Sequence, residues 1–374
     1  MIAMARSILL VVLLAAGSSA ADVGSAYPGI SGPCRFQFPR DHGPHPDYRT
    51  EWWYYTGNVE ASDGRHFGFQ LTFFRSRVSP PGAEQNWPIP SSAWRTPQIY
   101  LAHAAVSDIS RQRFYHDERV TRGALGLGGA ETSGDSTTVS LHDWSADIHE
   151  GRHRLQARSE RFALELEAVP LKPPVAHGAE GYSRKGPRPG QASCYYSLTR
   201  LRIHGNLRIG DETFPVGGLA WMDHEYSSAP LDAELAGWDW FSLQFDDDTE
   251  LMVYLLRTRA GDYSAHSAGT FVGPSGERVH LPLEMLETEV LERWKSPHSG
   301  ADYPLRWRIR IPSLQIDLLV EPRIRDQELL TPGSTRITYW EGSVSTRGRV
   351  GGKPTRGTGY MELTGYAQPL DDRL

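Results

Sequence analysis

From residue 66 onward this chain of 374 residues returns repeatedly to stretches in which apolar and polar side chains alternate, and that period fixes its fold class. In HFGFQLTFFR (66–75), Phe67, Phe69, Leu71 and Phe73 fall on one face and Gly68, Gln70 and Thr72 on the other. A period of two belongs to an extended strand, because successive Cβ atoms point to opposite sides. The same pattern recurs at 99–108, 153–170, 195–210, 238–247, 250–259, 305–312, 314–322, 335–348 and 358–366. Asp63-Gly64, the acidic run near Asp247 and Ser275-Gly276 sit where hairpin turns belong. No helical period separates the runs, so an all-β barrel or sandwich is expected. The 37 glycines and 26 prolines suit many turns and few long helices.

The length exceeds one comfortable core, so two domains are expected. Residues 227–237, SSAPLDAELAG, separate two aromatic runs and mark the crossing, giving an N-terminal domain at 21–227 and a C-terminal one at 228–374. The Gly- and Pro-rich stretch 173–191 reads as a long surface loop. The start, with Arg6, an apolar run from Ile8 to Ala16 and small residues at 18–20, has the pattern of a signal peptide over 1–20. The apolar run falls short of the ~20 residues that span a bilayer. Export to a periplasm or the exterior is therefore expected. A formal charge of -6, with no basic run, gives no bias toward nucleic acid. Cys34 and Cys194 are too few for a disulfide scaffold or a thiolate metal site. An oxidising compartment would permit one bridge between them, but sequence alone does not bring two Cβ atoms together.

Three stretches combine aromatic rings with ionisable groups: RTEWWYYTG, GGLAWMDHEYS and GWDWFSLQF. In the second, alternation puts Trp221, Asp223 and Glu225 on one face and Met222, His224 and Tyr226 on the other. Two carboxyls buried on one face would raise at least one pKa, which keeps a carboxyl protonated for acid work near neutral pH. The competing reading leaves both in solvent at a strand end. Asp239 shares its face with Phe241, Leu243 and Phe245, so it must be paired or protonated. His103 lies between small neighbours, either as a hydrogen-bonded core histidine or with room beside its ring. Asp41, His42, His45, Asp47 and Glu51 cluster near the start, but their spacing fits no zinc motif and no metal is expected. No nucleophile elbow, phosphate loop or dinucleotide fingerprint occurs in the sequence.

Together, FPRDHGPHPDYRTEWWYYTGNV, LAHAAVSD, GGLAWMDHEYS and GWDWFSLQ resemble the AttH-like and carotenoid 1,2-hydratase family of lipocalin-like proteins, closer to the exported AttH-like branch. The resemblance implies two packed lipocalin-like β-barrels with a site for a hydrophobic small molecule, and chemistry that needs no cofactor. Its carotenoid-acting members hydrate isoprenoid double bonds. Such chemistry needs an apolar pocket holding a proton donor. For hydration or isomerisation of a double bond in an extended apolar molecule, the expected acid is Asp223 or Glu225, with His224 or His103 as base or orienting partner. The expected ligand contacts are Glu51, Trp52, Trp53, Tyr55, Trp221, Trp238, Asp239 and Trp240. So apolar a ligand is compatible with exchange at a membrane surface. A non-catalytic carrier and a secreted hydrolase are the alternatives.

Overall fold

The computed structural model describes residues 26–229 and 231–370. The signal-peptide segment 1–20 lies outside the described residues. The alternating stretches form strands throughout. The first sheet holds β1 (Thr50–Ala61), β2 (His66–Arg77), β3 (Gln98–Asp108), β4 (Arg113–Arg122), β5 (Gly128–Ser133), β6 (Ser136–Leu141), β7 (Trp144–His149), β8 (Arg152–Arg158), β9 (Phe162–Pro170), β10 (Val175–Ala176), β11 (Tyr182–Arg184), β12 (Ala192–Ile209) and β13 (Glu212–Ser227). Its order is β4-β3-β2-β1-β13-β12-β9-β8-β7-β6-β5, with β10 and β11 also on β12. The sheet curls until β6 lies against β2, β3 and β4.

The second sheet holds β14 (Leu235–Phe245), β15 (Glu250–Thr258), β16 (Ala268–Val272), β17 (Arg278–Pro282), β18 (Glu287–Lys295), β19 (Asp302–Ile311), β20 (Ile316–Pro322), β21 (Glu328–Leu330), β22 (Thr338–Val350) and β23 (Lys353–Leu363). It runs β17-β16-β15-β14-β23-β22-β20-β19-β18, with β21 on β22. Both sheets are antiparallel, and the two-barrel all-β architecture expected from the alternation is the one adopted. Among the described residues no helix is long and apolar enough to cross a membrane.

Each barrel fills its interior with one face of the alternation. Trp53, Tyr55, Phe67, Phe69, Leu71 and Phe73 belong to the first core, and Phe241, Leu243, Val253, Leu255 and Trp307 to the second. The outer faces of β1, β2 and β12 are largely covered by the second barrel, β1 packing on β23, β2 on β22 and β12 on β14. Glycine permits the closest approach, since a Cβ on Gly68 would come within 2.7 Å of the Tyr360 hydroxyl and 2.8 Å of Ser343. Asn58 Nδ2 donates to the Gly359 carbonyl at 3.1 Å, and Gln244 Nε2 to the carbonyls of Thr199 and Ala220 at 2.7 and 2.9 Å.

The 173–191 segment departs from the surface-loop expectation. It pairs with β12 through β10 and β11, buries His177 and returns Lys185 toward the inter-barrel space. Its glycines and prolines shape turns without keeping the segment in solvent. Cys34 and Cys194 are joined, with Cα atoms 5.8 Å apart, so the N-terminal arm is tied to β12.

An ion cluster locks the barrels together at one end of the interface. Glu250, fully buried on β15, accepts from Lys172 Nζ at 2.9 Å and Arg200 Nε at 2.5 Å, both cations coming from the first barrel's side. Removing one partner from a buried pair strands the remaining charge. Glu250→Gln is therefore expected to lower unfolding free energy by on the order of 3–5 kcal/mol in chemical denaturation. A loss within the scatter of surface substitutions would show that the latch contributes little.

Candidate active site

A cavity of about 480 Å³ lies between the docked outer faces. The first barrel contributes Trp52 and Tyr54 from β1, Phe74 from β2, Leu101 and His103 from β3, Tyr195 from β12, and Asp223 and Glu225 from β13. The second contributes Trp238 and Trp240 from β14, Tyr254 and Leu256 from β15, Tyr339 and Glu341 from β22, and Glu362 from β23. Most of the wall's surface is apolar, interrupted by carboxyls, hydroxyls and other polar groups from both barrels.

Strand register brings these side chains together. Trp52 stands opposite Glu225 and Tyr54 opposite Asp223, while Ser197 on β12 faces Asp223 from the other side. Asp223 accepts hydrogen bonds from the Tyr195 hydroxyl at 2.6 Å, from Trp221 Nε1 at 2.6 Å and from the Ser197 hydroxyl. All three donors are neutral. Burial pushes the Asp223 carboxyl up to about 7, and these hydrogen bonds only partly oppose it. Glu225 has a cation instead: Lys185 Nζ lies at 3.1 Å, and the Ser193 hydroxyl also bonds to it. Burial works against the Lys185 ammonium, yet the Glu225 charge carries its pKa above the ordinary lysine value.

Two acids absent from the expected set face this group across the cavity. Glu341 and Glu362 are direct cross-strand partners on β22 and β23; Glu341 is buried, and Glu362 keeps some exposure to the cavity side. Trp238 Nε1 donates to Glu362 at 2.9 Å, and the phenols of Tyr54 and Tyr339 adjoin Glu341. Desolvation raises Glu341 well above the carboxylate range, helped by the charge of Glu362, and raises Glu362 to about 7. His103 Nδ1 bonds the Tyr339 hydroxyl at 2.8 Å and Nε2 bonds Ser334 at 2.8 Å. Burial depresses the imidazole to about 3, so His103 is neutral and holds Tyr339 in place.

The remaining expected residues lie elsewhere. Alternation splits EWWYYTG: Trp52 and Tyr54 face the cavity, while Trp53 and Tyr55 turn into the first barrel, where Trp53 donates to the His42 carbonyl and Tyr55 meets His153. His224 shares that interior face, stacked on Trp53, so it does not reach the cavity. Trp221 supports Asp223 and Trp240 from behind the wall. Asp239 points into the second barrel, where Tyr366 donates to it at 2.9 Å and Arg257 lies at 3.4 Å; burial still raises it to about 6. Glu51 borders the cavity, but its carboxylate is bound by Arg75 Nε at 2.8 Å, His224 Nε2 at 2.9 Å and His45 Nδ1 at 2.8 Å. The ligating atoms of His45, Glu51 and His224 lie within 4.8 Å of one another, a spacing open to a small cation. Arg75 and the backbone N–H of His45 already occupy the Glu51 oxygens, so the group works as an ion-paired latch on the N-terminal arm.

A carboxyl whose pKa is raised on folding binds its proton more tightly in the native state. Its stabilising contribution is full below the unfolded value near 4 and is lost as pH climbs to about 7. Asp223→Asn should therefore flatten the fall of stability between pH 4 and 7 by up to ~1.4 kcal/mol per pH unit. Urea melts across that range measure it. Parallel curves for variant and wild type would place the Asp223 pKa at its unfolded value.

The AttH-like family model matches residues 30–366. A crystal structure of an AttH-type protein from Nitrosomonas europaea is 34% identical, covering 91% of this chain and 99% of its own, with a TM-score of 0.78. Kievitone hydratase from Nectria haematococca shares the fold at 15% identity, with a TM-score of 0.68 over 91% of this chain and 97% of its own. A dehydratase (asqC) of Emericella nidulans is 23% identical over 223 residues, 56% of this chain and 60% of the relative's length. With a match that runs through every strand walling the cavity, the chain belongs to the AttH-like family.

Proposed function

We propose that the protein binds an extended apolar small molecule between its barrels and adds water to, or removes it from, a carbon–carbon double bond without a cofactor. The observation that carries this reading is Asp223, a buried carboxyl with a pKa of about 7 set among neutral donors in an aromatic cavity. Near neutral pH such a group both holds a proton and can release it, which is what general acid catalysis asks of it. In the hydration direction the double bond takes the Asp223 proton at one carbon. The adjacent carbon becomes electron-poor, and the faces of Trp52 and Trp240 can stabilise it. Water bonds there, and its surplus proton passes to a carboxylate of the cavity. One water is added overall, and solvent exchange resets the two carboxyls. Dehydration is the same path reversed.

The hydratase and dehydratase relatives support this class of reaction by analogy. Ester hydrolysis is less well supported. Ser197 does bond His177 at 2.6 Å, but it is fully buried behind Asp223 and is not part of the cavity wall. We also propose that the mature protein is exported. The signal-peptide pattern motivates this, and the Cys34–Cys194 bond suits an oxidising compartment.

The test is incubation with farnesol, geranylgeraniol and a membrane lipid extract in heavy-oxygen water, followed by mass spectrometry. Wild type should yield a product that has gained one labelled water, or an alkene that has lost one. Asp223→Asn should slow turnover roughly 100-fold or more while still binding the molecule. Recovery of only unchanged molecules from wild type would favour the carrier.

A further inference from the structure

We infer that Glu341 and Glu362, the paired acids that the second barrel presents to the cavity, are catalytic residues that exchange the proton of water while Asp223 serves the carbon. The inference rests on the hydration reading above and adds the second half of its proton inventory. Hydration needs a donor toward carbon and an acceptor for the proton that water sheds; dehydration needs the same two with roles reversed.

The geometry separates the two tasks. Asp223 stands on the first barrel's wall, and the glutamates stand on the second's, directly opposite each other across β22 and β23. Tyr54 links the sides, since it is the cross-strand neighbour of Asp223 and its phenol adjoins Glu341. Two carboxyls this close in a desolvated site cannot both ionise readily, so the pair keeps one proton. The other position is free to accept or give a second proton near neutral pH, in keeping with the rise of Glu362 to about 7.

The groups facing the pair favour this role. Tyr54 and Tyr339 meet Glu341, the latter held by neutral His103, and Trp238 meets Glu362; Asp223 and Glu225 act on Glu362 only through their charge. None of these is a cation that would fix both carboxylates in the charged state, as Arg75 does for Glu51. Glu341 Oε1, buried, has no hydrogen-bond partner. Facing the cavity, that oxygen has capacity left to accept a hydrogen bond from water or a substrate hydroxyl.

In the hydration direction the balance is simple. The carbon–oxygen bond forms as the double bond's electron pair takes the Asp223 proton, and the O–H bond of the attacking water breaks toward the Glu362 carboxylate. Dehydration returns that proton to the departing hydroxyl.

The test uses the full chain, with farnesol and the lipid extract in heavy-oxygen water as probes. Glu362→Gln and Glu341→Gln should each lower kcat roughly 100-fold or more with KM little changed. Glu362→Gln should erase the acid-side limb of the hydration pH profile, and Asp223→Asn the alkaline limb. Infrared spectra of the folded apo-protein give a second readout: the carbonyl stretch of protonated carboxyls at pH 7 should be weaker in the double variant E341Q/E362Q than in wild type. Turnover by wild type that survives both single substitutions with an unchanged pH profile overturns this inference alone. An infrared band unaffected by the double substitution also overturns it. Absence of turnover by wild type on every probe overturns the hydration reading and this inference together.

Discussion

The docking of one barrel's outer face on the other is the constraint from which the rest of the site follows. An isolated barrel would turn Tyr54, Gln70, Asp223, Glu341 and Glu362 toward water. Pressed together, the two faces bury Tyr54, Gln70, Asp223 and Glu341 and leave Glu362 only partly exposed, around a space lined by Trp52, Trp238 and Trp240. Contact at Gly68 brings the backbones close, and the Lys172–Glu250–Arg200 cluster fixes the end of the interface. The raised carboxyls of the cavity therefore depend on the packing between domains.

Comparing two buried acids shows how partners set ionisation. Glu51 and Asp223 are both desolvated, yet their pKa values move in opposite directions. Burial would raise Glu51 too, but hydrogen bonds from His224 and His45 and the charge of Arg75 carry it well below the carboxylate range. Asp223 receives only hydroxyl and indole donors, which cannot offset the loss of water around a full charge. Glu51 is thus a permanent anion holding the N-terminal arm, and Asp223 a carboxyl that can exchange its proton.

The sequence made the strands legible, along with the side chains that share a face. It put Asp223 and Glu225 together, opposite His224, and register bears that division out. It did not reveal which face meets solvent, because alternation is identical whether an outer face is wet or covered by a second barrel. Glu341 and Glu362 sit in TYWEGSV and GYMELTG, where an acid alternating with Trp340 or Met361 reads as an ordinary exposed residue. Only the opposing barrel makes them unusual. The same ambiguity placed Trp53 and Tyr55 beside Trp52 in one expected wall, although adjacent residues of a strand cannot share it. Lys185 was hidden by composition, since a Gly- and Pro-rich stretch does not announce that it folds back onto β12.

Everything proposed for the cavity depends on a carboxyl that remains protonated close to neutral pH. Carbon-13 NMR of side-chain carboxyls, titrated from pH 4 to 9 in wild type and Asp223→Asn, addresses it without any substrate. A resonance with a midpoint at about 7 is expected in wild type and should disappear in the variant. If every resonance removed by Asp223→Asn titrates below about 5, in the range of solvated carboxylates, Asp223 is an ordinary anion at neutral pH and cannot serve as the acid.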